Sequence, residues 1–281
     1  MYDSEGSPVW LITGCSRGIG RALAEAVPAG GRRLLATARR PETLSGLVER
    51  YGGLVRPFAL DVTDAEGAGR AVRAAVDTFG RLDVVVNNAG YANSAAIEET
   101  PEADFRAQIE ANLFGVVNVT KAAIPVFRAR RAGHFVQFSS IGGRVGGTPG
   151  MGAYQTAKFG VEGFSEVLAA EMRPLGVKVT IVEPGNFRTD WSGSSMRVPE
   201  PGPDYDGTVG EMNRFRQANL GRQPGDPARA AEVVMDLVEL DEPPLRMVLG
   251  DDAVRLAETS GRARLEELAR WADLSRSTAF A

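Results

Sequence analysis

Tyr154 and Lys158 stand four residues apart in Gly152-Ala153-Tyr154-Gln155-Thr156-Ala157-Lys158-Phe159, a spacing that puts a phenol and an ammonium on one face of a helix. A phenol titrates near ~10 and is too weak an acid to serve near neutrality, but a close positive charge favours its ionised form. The pair reads as a proton donor tuned by a cation, with Lys158 expected to lower the pKa of Tyr154. The chain has only three lysines, Lys121, Lys158 and Lys178, so chance would give such a pair in roughly one chain in twenty of this composition. The structural alternative is a surface Lys one turn past a packed Tyr.

A second constellation lies near the start. Val9-Trp10-Leu11-Ile12 is a short apolar run of strand type, followed by Thr13-Gly14-Cys15-Ser16-Arg17-Gly18-Ile19-Gly20 and the helix-like Arg21 to Val27. Strand, glycine turn and helix in that order let a backbone approach a pyrophosphate, which then rests on the unpaired amides and positive end of the helix. The spacing is G-x-x-x-G-x-G and departs from the commoner G-x-G-x-x-G.

With both motifs, the chain resembles the short-chain dehydrogenase/reductase family in its compact form, where one domain carries the cofactor and substrate sites. The resemblance rests on Thr13 to Gly20, Asp61-Val62, Asn87-Asn88-Ala89-Gly90, Asn112, Ser139-Ser140, Tyr154 with Lys158, and Pro184-Gly185, in the family's order over residues 9 to about 190. The stretch from Pro243 to Asp252 is similar to the hydroxysteroid-dehydrogenase-like branch. The resemblance implies a metal-free hydride transfer between a nicotinamide coenzyme and a carbonyl/alcohol pair. Tyr154 would donate or accept the proton, Lys158 would also bind the nicotinamide ribose, Ser140 would hold the carbonyl oxygen, and Asn112 would support a proton relay. Gly14, Ser16, Arg17, Gly18, Ile19 and Gly20 would receive the pyrophosphate. Val62, Asn88, Ala89 and Gly90 would line the adenosine and ribose path, and Pro184, Gly185 and Thr189 would meet the carboxamide.

Several positions keep two readings. After the second strand the chain runs Ala36-Thr37-Ala38-Arg39-Arg40; no carboxylate awaits a ribose 2′-hydroxyl, and Arg39 with Arg17 would grip a 2′-phosphate, which points to NADP(H). Otherwise Arg39 and Arg40 are a solvated helix entry. Asp61 either accepts from the adenine amine or caps the helix near Asp64. Asn112 interrupts an apolar helical pattern, so it either points outward or serves the relay. Thr189 either meets the carboxamide or caps the next helix. Ser140 precedes Tyr154 by fourteen residues, one more than the family pattern, with the extra residue expected within Gly146 to Gly150. His134 reads as structural, and Cys15 as unreactive.

The elements that must position these residues alternate as apolar strand-like runs and helical patterns, the mark of β-α units around a parallel sheet. Strands are expected at Val9–Ile12, Arg33–Ala38, Val55–Leu60, Val84–Asn87, His134–Phe138, Lys178–Val182 and Arg246–Leu249. Seven is the family's number, and the fold expected is a doubly wound α/β sheet of Rossmann type in a single domain over residues 1–281. Thr100-Pro101 and Asp226-Pro227 each pair an N-cap residue with Pro at the first helical position. Pattern breaks between 190 and 225, apart from a short stretch near Val209 to Ala218. The resemblance makes that segment a substrate lid, with Phe187, Trp191, Met196, Val198, Met212 and Phe215 as an apolar wall. A strand and helical extension follow over 240–281.

Hydrophobic residues make up 43% of the chain and charged ones 24%, with a net charge of −4. No apolar run reaches the ~20 residues needed to cross a bilayer, and no basic block suits a nucleic acid. The acidic start Met1 to Gly6 is not a signal peptide, and the single Cys excludes an internal disulfide and fits a reducing, cytoplasmic setting. The partners expected are a small carbonyl or alcohol substrate and further copies of the chain, as a homodimer or homotetramer. Rival functions are epimerisation or an oxidative tailoring step on the same fold, and a non-catalytic dinucleotide-sensing protein.

Overall fold

The computed structural model describes residues 6–193 and 195–280, so Met1 to Glu5 of the acidic start lie outside the described residues. The chain runs β1 (Val9–Ile12), α1 (Gly18–Ala29), β2 (Arg33–Ala38), α2 (Ser45–Tyr51), β3 (Val55–Ala59), α3 (Ala65–Phe79) and β4 (Val84–Asn87). It continues through α4 (Glu102–Ile109), a π-helical turn (Glu110–Phe114), α5 (Gly115–Arg130), β5 (Gly133–Phe138), α6 (Ile141–Arg144), α7 (Gly152–Met172) and β6 (Val177–Pro184). The last elements are α8 (Glu211–Ala218), α9 (Pro227–Glu239), β7 (Arg246–Leu249) and α10 (Asp251–Arg276).

The seven strands pair in the order β3-β2-β1-β4-β5-β6-β7, every pair parallel. This is the Rossmann-like α/β sheet read from the sequence, and all seven expected strands are present to within two residues. Alternation along β1 shows how the core is divided. Trp10 and Ile12 pack with Leu23, Val27, Ala230 and Val234 of α1 and α9. Val9 and Leu11 face the other way, onto Val72 of α3, Phe127 of α5 and Leu168 of α7. Each strand carries apolar side chains on both faces because helices cover both, the condition under which all-parallel sheets are stable.

Helix ends follow local chemistry. Asp64 caps α3 by accepting from the Gly67 amide at 2.9 Å, and Asp226 caps α9 by accepting from Ala228 at 2.8 Å with Pro227 next in line. The expected Thr100 cap is not formed. Its hydroxyl turns back to donate to the Ala96 carbonyl at 2.8 Å, and α4 begins at Glu102 with Pro101 as the flanking residue. Beyond its first turn α10 is largely exposed, including Leu265, Leu268, Trp271 and Leu274. No helix among the described residues is long and apolar enough to cross a membrane.

His134 opens the pairing of β5 with β4, pairs with Lys178 of β6 and is 3% exposed. Thr180 donates its hydroxyl proton to the Pro244 carbonyl, so it accepts from His134 Nε2 at 3.0 Å, and the buried Nδ1 has no partner. Burial, and then the charge of Lys178, push the ring down to about 4. The folded protein therefore keeps the ring neutral while the unfolded chain protonates near ~6.5, so stability falls as pH drops from about 6.5 to 4, by up to ~3 kcal/mol. Urea unfolding across that range is expected to show a shallower loss for His134→Gln than for the wild type; parallel curves would clear the ring of responsibility.

Candidate active site

Strand order reverses between β1 and β4, and the turns after these strands diverge to open a crevice at the carboxyl edge of the sheet. Its floor is a compact polar staple. Thr13 Oγ1 accepts from the amides of Asn88 and Ala89 at 2.9 and 3.0 Å, and the Asn88 side chain donates to the carbonyls of Thr13 and Gly14 at 2.9 and 3.3 Å. Asn87 points the other way and donates to Thr120 and Gln137, joining β4 to α5 and β5. Above this floor lies a cavity of about 600 Å³.

At one end the glycine turn exposes its backbone. Gly14 and Gly18 have φ of +74° and +60°, values that disfavour a side chain. α1 starts at Gly18 with no carboxylate in its first turn, leaving a helix N-terminus open to an anion. Gly20 does not reach the cavity. A Cβ there would lie 2.2 Å from Asn88 Nδ2, so its role is to let α1 approach the staple. Cys15 is buried, and that burial pushes its thiol up to about 12, in line with an unreactive residue. Arg17 and Arg39 are exposed at the cavity's rim and their guanidinium groups make no hydrogen bond or ion pair among the described residues, while Arg40 does not line the cavity. Asp61 lines it too, and its carboxylate accepts from the amide and hydroxyl of Thr63 at 3.0 and 2.8 Å. Capping of α3 belongs to Asp64, so that alternative for Asp61 is not realised.

The other end is built on β5 and α7. Tyr154 is 8% and Lys158 4% exposed, which removes the reading of a surface Lys beside a packed Tyr. Ser140 follows β5, accepts from the Gly142 amide at 3.1 Å and hydrogen-bonds the Tyr154 hydroxyl. Ser139 is instead buried against the Lys158 carbonyl of α7. The expected lowering of Tyr154 by Lys158 is not met. Burial pushes the phenol up to about 12, with only the Ser140 hydrogen bond acting against it. The reason is geometric as well as dielectric: Lys158 Nζ donates to the Phe138 carbonyl at 2.8 Å and lies 5.7 Å from the phenol ring's centroid. Burial also pushes Lys158 down to about 8, opposed by the charge of Glu162 one turn on.

Asn112 does not point outward. It is fully buried within the π-helical turn, donates to the carbonyls of Tyr91 and Gln108 at 2.8 Å each, and accepts from the Tyr91 amide at 3.0 Å. Widened turns of this kind recur at functional sites. The segment with the additional residue bends through three glycines of positive φ, Gly146, Gly147 and Gly150, before α7 begins.

At and after the end of β6, Pro184, Gly185 and Thr189 line the cavity, and Thr189 also accepts from the Trp191 amide at 3.3 Å, capping a short 3-10 turn. Trp191 packs on the Tyr154 ring with centroids 5.1 Å apart. The expected apolar wall is only partly present. Phe187 and Trp191 line the cavity and Met196 packs with Met151 and Tyr154, whereas Val198 and Phe215 are exposed on the outer side. Apolar type alone does not say which way a loop residue turns.

Apart from Gly20, the cavity lining includes every residue singled out in the sequence for catalysis or coenzyme binding: Gly14, Ser16, Arg17, Gly18, Ile19, Arg39, Asp61, Val62, Asn88, Ala89, Gly90, Asn112, Ser140, Tyr154, Lys158, Pro184, Gly185 and Thr189. Tyr91 and Glu110 also line it and were missed; Tyr91 directly follows Asn88-Ala89-Gly90, which was the available signal. A partly buried network behind Lys158 was missed as well. There Arg246 bridges Glu162 at 3.1 Å and Glu183 at 3.3 Å, and Arg144 meets Glu183 at 3.1 Å.

Residues 8–198 match the family described as short chain dehydrogenase. The oxidoreductase BOA17 of Botryotinia fuckeliana is 47% identical over 272 residues, covering 96% of this chain and 99% of its own. A crystal structure of a short-chain dehydrogenase from Streptomyces avermitilis aligns with a TM-score of 0.91 at 40% identity, covering 99% of this chain and all of that one. An alcohol dehydrogenase from the archaeon Thermococcus sibiricus, complexed with 5-hydroxy-NADP, aligns with a TM-score of 0.71 at 28% identity, covering 86% and 96% of the two chains. Every residue that lines the cavity falls inside the matched span, and the chain belongs to the short-chain dehydrogenase family of oxidoreductases.

Proposed function

We propose that the protein is an NADP(H)-dependent oxidoreductase that interconverts a carbonyl and an alcohol on a mostly apolar small molecule. The observation that carries this reading is the sharing of one cavity by an Arg17-Arg39 rim whose guanidiniums are unpaired among the described residues and a buried Tyr154-Lys158 pair with Ser140 beside it. The donor set fits a phosphorylated dinucleotide: an open helix N-terminus and glycine turn for the pyrophosphate, two free guanidiniums for a 2′-phosphate, and no carboxylate at the end of β2 to repel one. When bound, the coenzyme supplies the hydride.

The remaining chemistry belongs to the chain. Tyr154, held protonated by burial well beyond neutrality, delivers its proton to a developing alkoxide, a far stronger base. The Ser140 hydroxyl, already on the phenol, is placed to hold the same oxygen and fix its distance from the donor. Lys158 brings positive charge to the ribose side of the cavity, and Glu162 helps keep that charge on. Asn112 holds the backbone at Tyr91 and so the wall facing Lys158, which suits a relay that returns a proton from solvent. Trp191, lying on the Tyr154 ring, narrows the entrance to flat or apolar groups, and the segment over 190–225 acts as the lid. Exposed Phe114, Phe159 and Val167 offer apolar surface on the π-turn and α7 for a homodimer or homotetramer. The name of the relative BOA17 and the 5-hydroxy-NADP in the archaeal alcohol dehydrogenase agree with this reading.

Tyr154→Phe removes the proton donor and little of the coenzyme contact. Turnover of a ketone panel with NADPH is expected to fall by ~10²-fold or more with NADPH affinity nearly unchanged, and Lys158→Ala to damage both. Retention of more than about a tenth of the wild-type rate in Tyr154→Phe would remove the phenol from the mechanism. Absence of turnover across the panel, with coenzyme still binding, would favour a dinucleotide-sensing protein.

The coenzyme preference is tested at the rim. Arg39→Ala is expected to weaken NADPH by ~10-fold and leave NADH nearly alone, since charge-assisted hydrogen bonds to the 2′-phosphate exist for only one of the two. Calorimetric titration of both coenzymes decides it. Equal affinities in the wild type, or equal losses in the variant, would make Arg39 a solvated helix entry.

A further inference from the structure

The Leu249-Gly250-Asp251-Asp252 stretch noted in the sequence sits beside the cavity without lining it. Asp252 lies in the first turn of α10, and its Oδ2 accepts from the Asn186 backbone amide at 2.9 Å and from the Asn186 side chain at 2.8 Å. Its Oδ1 is shielded and has no partner, wedged where a Cβ on either Gly185 or Gly250 would come within 2.7 Å of it. Gly185 and Asn186 do line the cavity. The same segment is also held by backbone bonds, Gly225 to Asn186 at 3.0 Å, Arg188 to Gly225 at 2.8 Å and Gly185 to Leu249 at 2.9 Å, and by the Arg188 guanidinium, which donates to the Gln223 carbonyl at 3.2 Å.

We propose that Asp252 is a positioning residue for the nicotinamide half of the coenzyme, acting through Gly185 and Asn186. The inference rests on the coenzyme reading above. Asn186 is the only residue whose two donors end on this carboxylate, so the charge-assisted pair fixes both its backbone and its side chain. The close approach of Gly185 to Asp252 then leaves that backbone little freedom to shift. The adenosine end, at Arg17 and Arg39, is built on β1, β2 and α1, and among the described residues no hydrogen bond or ion pair joins those elements to α10. Loss of Asp252 should therefore be felt at one half of the coenzyme and not at the other, a split that a merely stabilising residue would not produce.

The experiment compares two probes by calorimetry. One is whichever of NADPH and NADH the wild type binds more tightly; the other is the matching ADP-ribose, with the 2′-phosphate if that coenzyme carries it. Asp252→Ala is expected to weaken the full coenzyme by ~10-fold and the ADP-ribose by less than ~2-fold. Asp252→Asn, whose side-chain oxygen can accept both Asn186 bonds, should restore most of the loss. Asp251→Ala controls for charge at the helix start. Asp251 occupies the same turn, is exposed and pairs only with Arg255, so both affinities should stay at wild-type values. If Asp252→Ala does not fold, Asn186→Ala leaves α10 whole and must give the same split. Equal losses for the two probes, or wild-type affinity for both in Asp252→Ala, overturn the proposal while leaving the coenzyme reading intact. A wild type that binds neither NADPH nor NADH overturns both.

Discussion

The site depends on a tie that is neither catalytic nor exposed. Thr13 and Asn88 directly follow two neighbouring strands whose turns lead to opposite faces of the sheet, and four hydrogen bonds, two joining Thr13 to Asn88 and one each reaching Ala89 and Gly14, hold those turns together at the base of the crevice. Without it, the divergence that creates the cavity would also leave two strand ends with unpaired amides and carbonyls in a buried place, at a cost of about 1–3 kcal/mol each. Gly20 shows how tightly the geometry is drawn, since α1 approaches Asn88 more closely than a methyl group would allow. The glycines of the turn thus serve two ends: some open a surface for an anion, and one brings a helix onto the staple.

A second constraint acts through water exclusion. The same burial that makes Tyr154 and Lys158 a defined pair moves their proton affinities in opposite senses, the phenol up and the ammonium down. Both shifts favour the neutral form. The sequence pattern alone led to the reverse expectation for Tyr154, because spacing reports which side chains are near one another and says nothing of how dry their surroundings are. In the folded protein desolvation outweighs a cation whose head is turned to the Phe138 carbonyl.

The parallel sheet was legible because its strands are short β-branched and aliphatic runs buried on both faces, and turn residues separate them cleanly. Most of the site residues were legible for a related reason: they stand at strand ends, where topology gathers them, while Tyr154 and Lys158 were legible from their spacing on one helix. What escaped reading depends on direction or distance. Thr100 has the type and place of a helix cap but satisfies Ala96 instead. Asn112 looks like a polar fault in an apolar helix until the π-turn gives its side chain three backbone partners. Val198 and Phe215 have the composition of a pocket wall and face solvent. Glu162 and Glu183 meet through Arg246, which lies 63 or more residues away in the chain, and Asp252 meets Asn186 across 66. No local pattern records such pairings.

Lys158 has a chemical character beyond charge. Burial pushes it down to about 8, so near neutrality it carries more free amine than an ordinary lysine. It is nevertheless 4% exposed, whereas Lys121 is open to solvent. Bulky amine reagents will decorate Lys121 and spare the cavity. A small aldehyde that can enter the cavity meets an amine able to form an imine with it, so the enclosure that keeps Lys158 weakly basic also decides which carbonyl compounds are safe to admit.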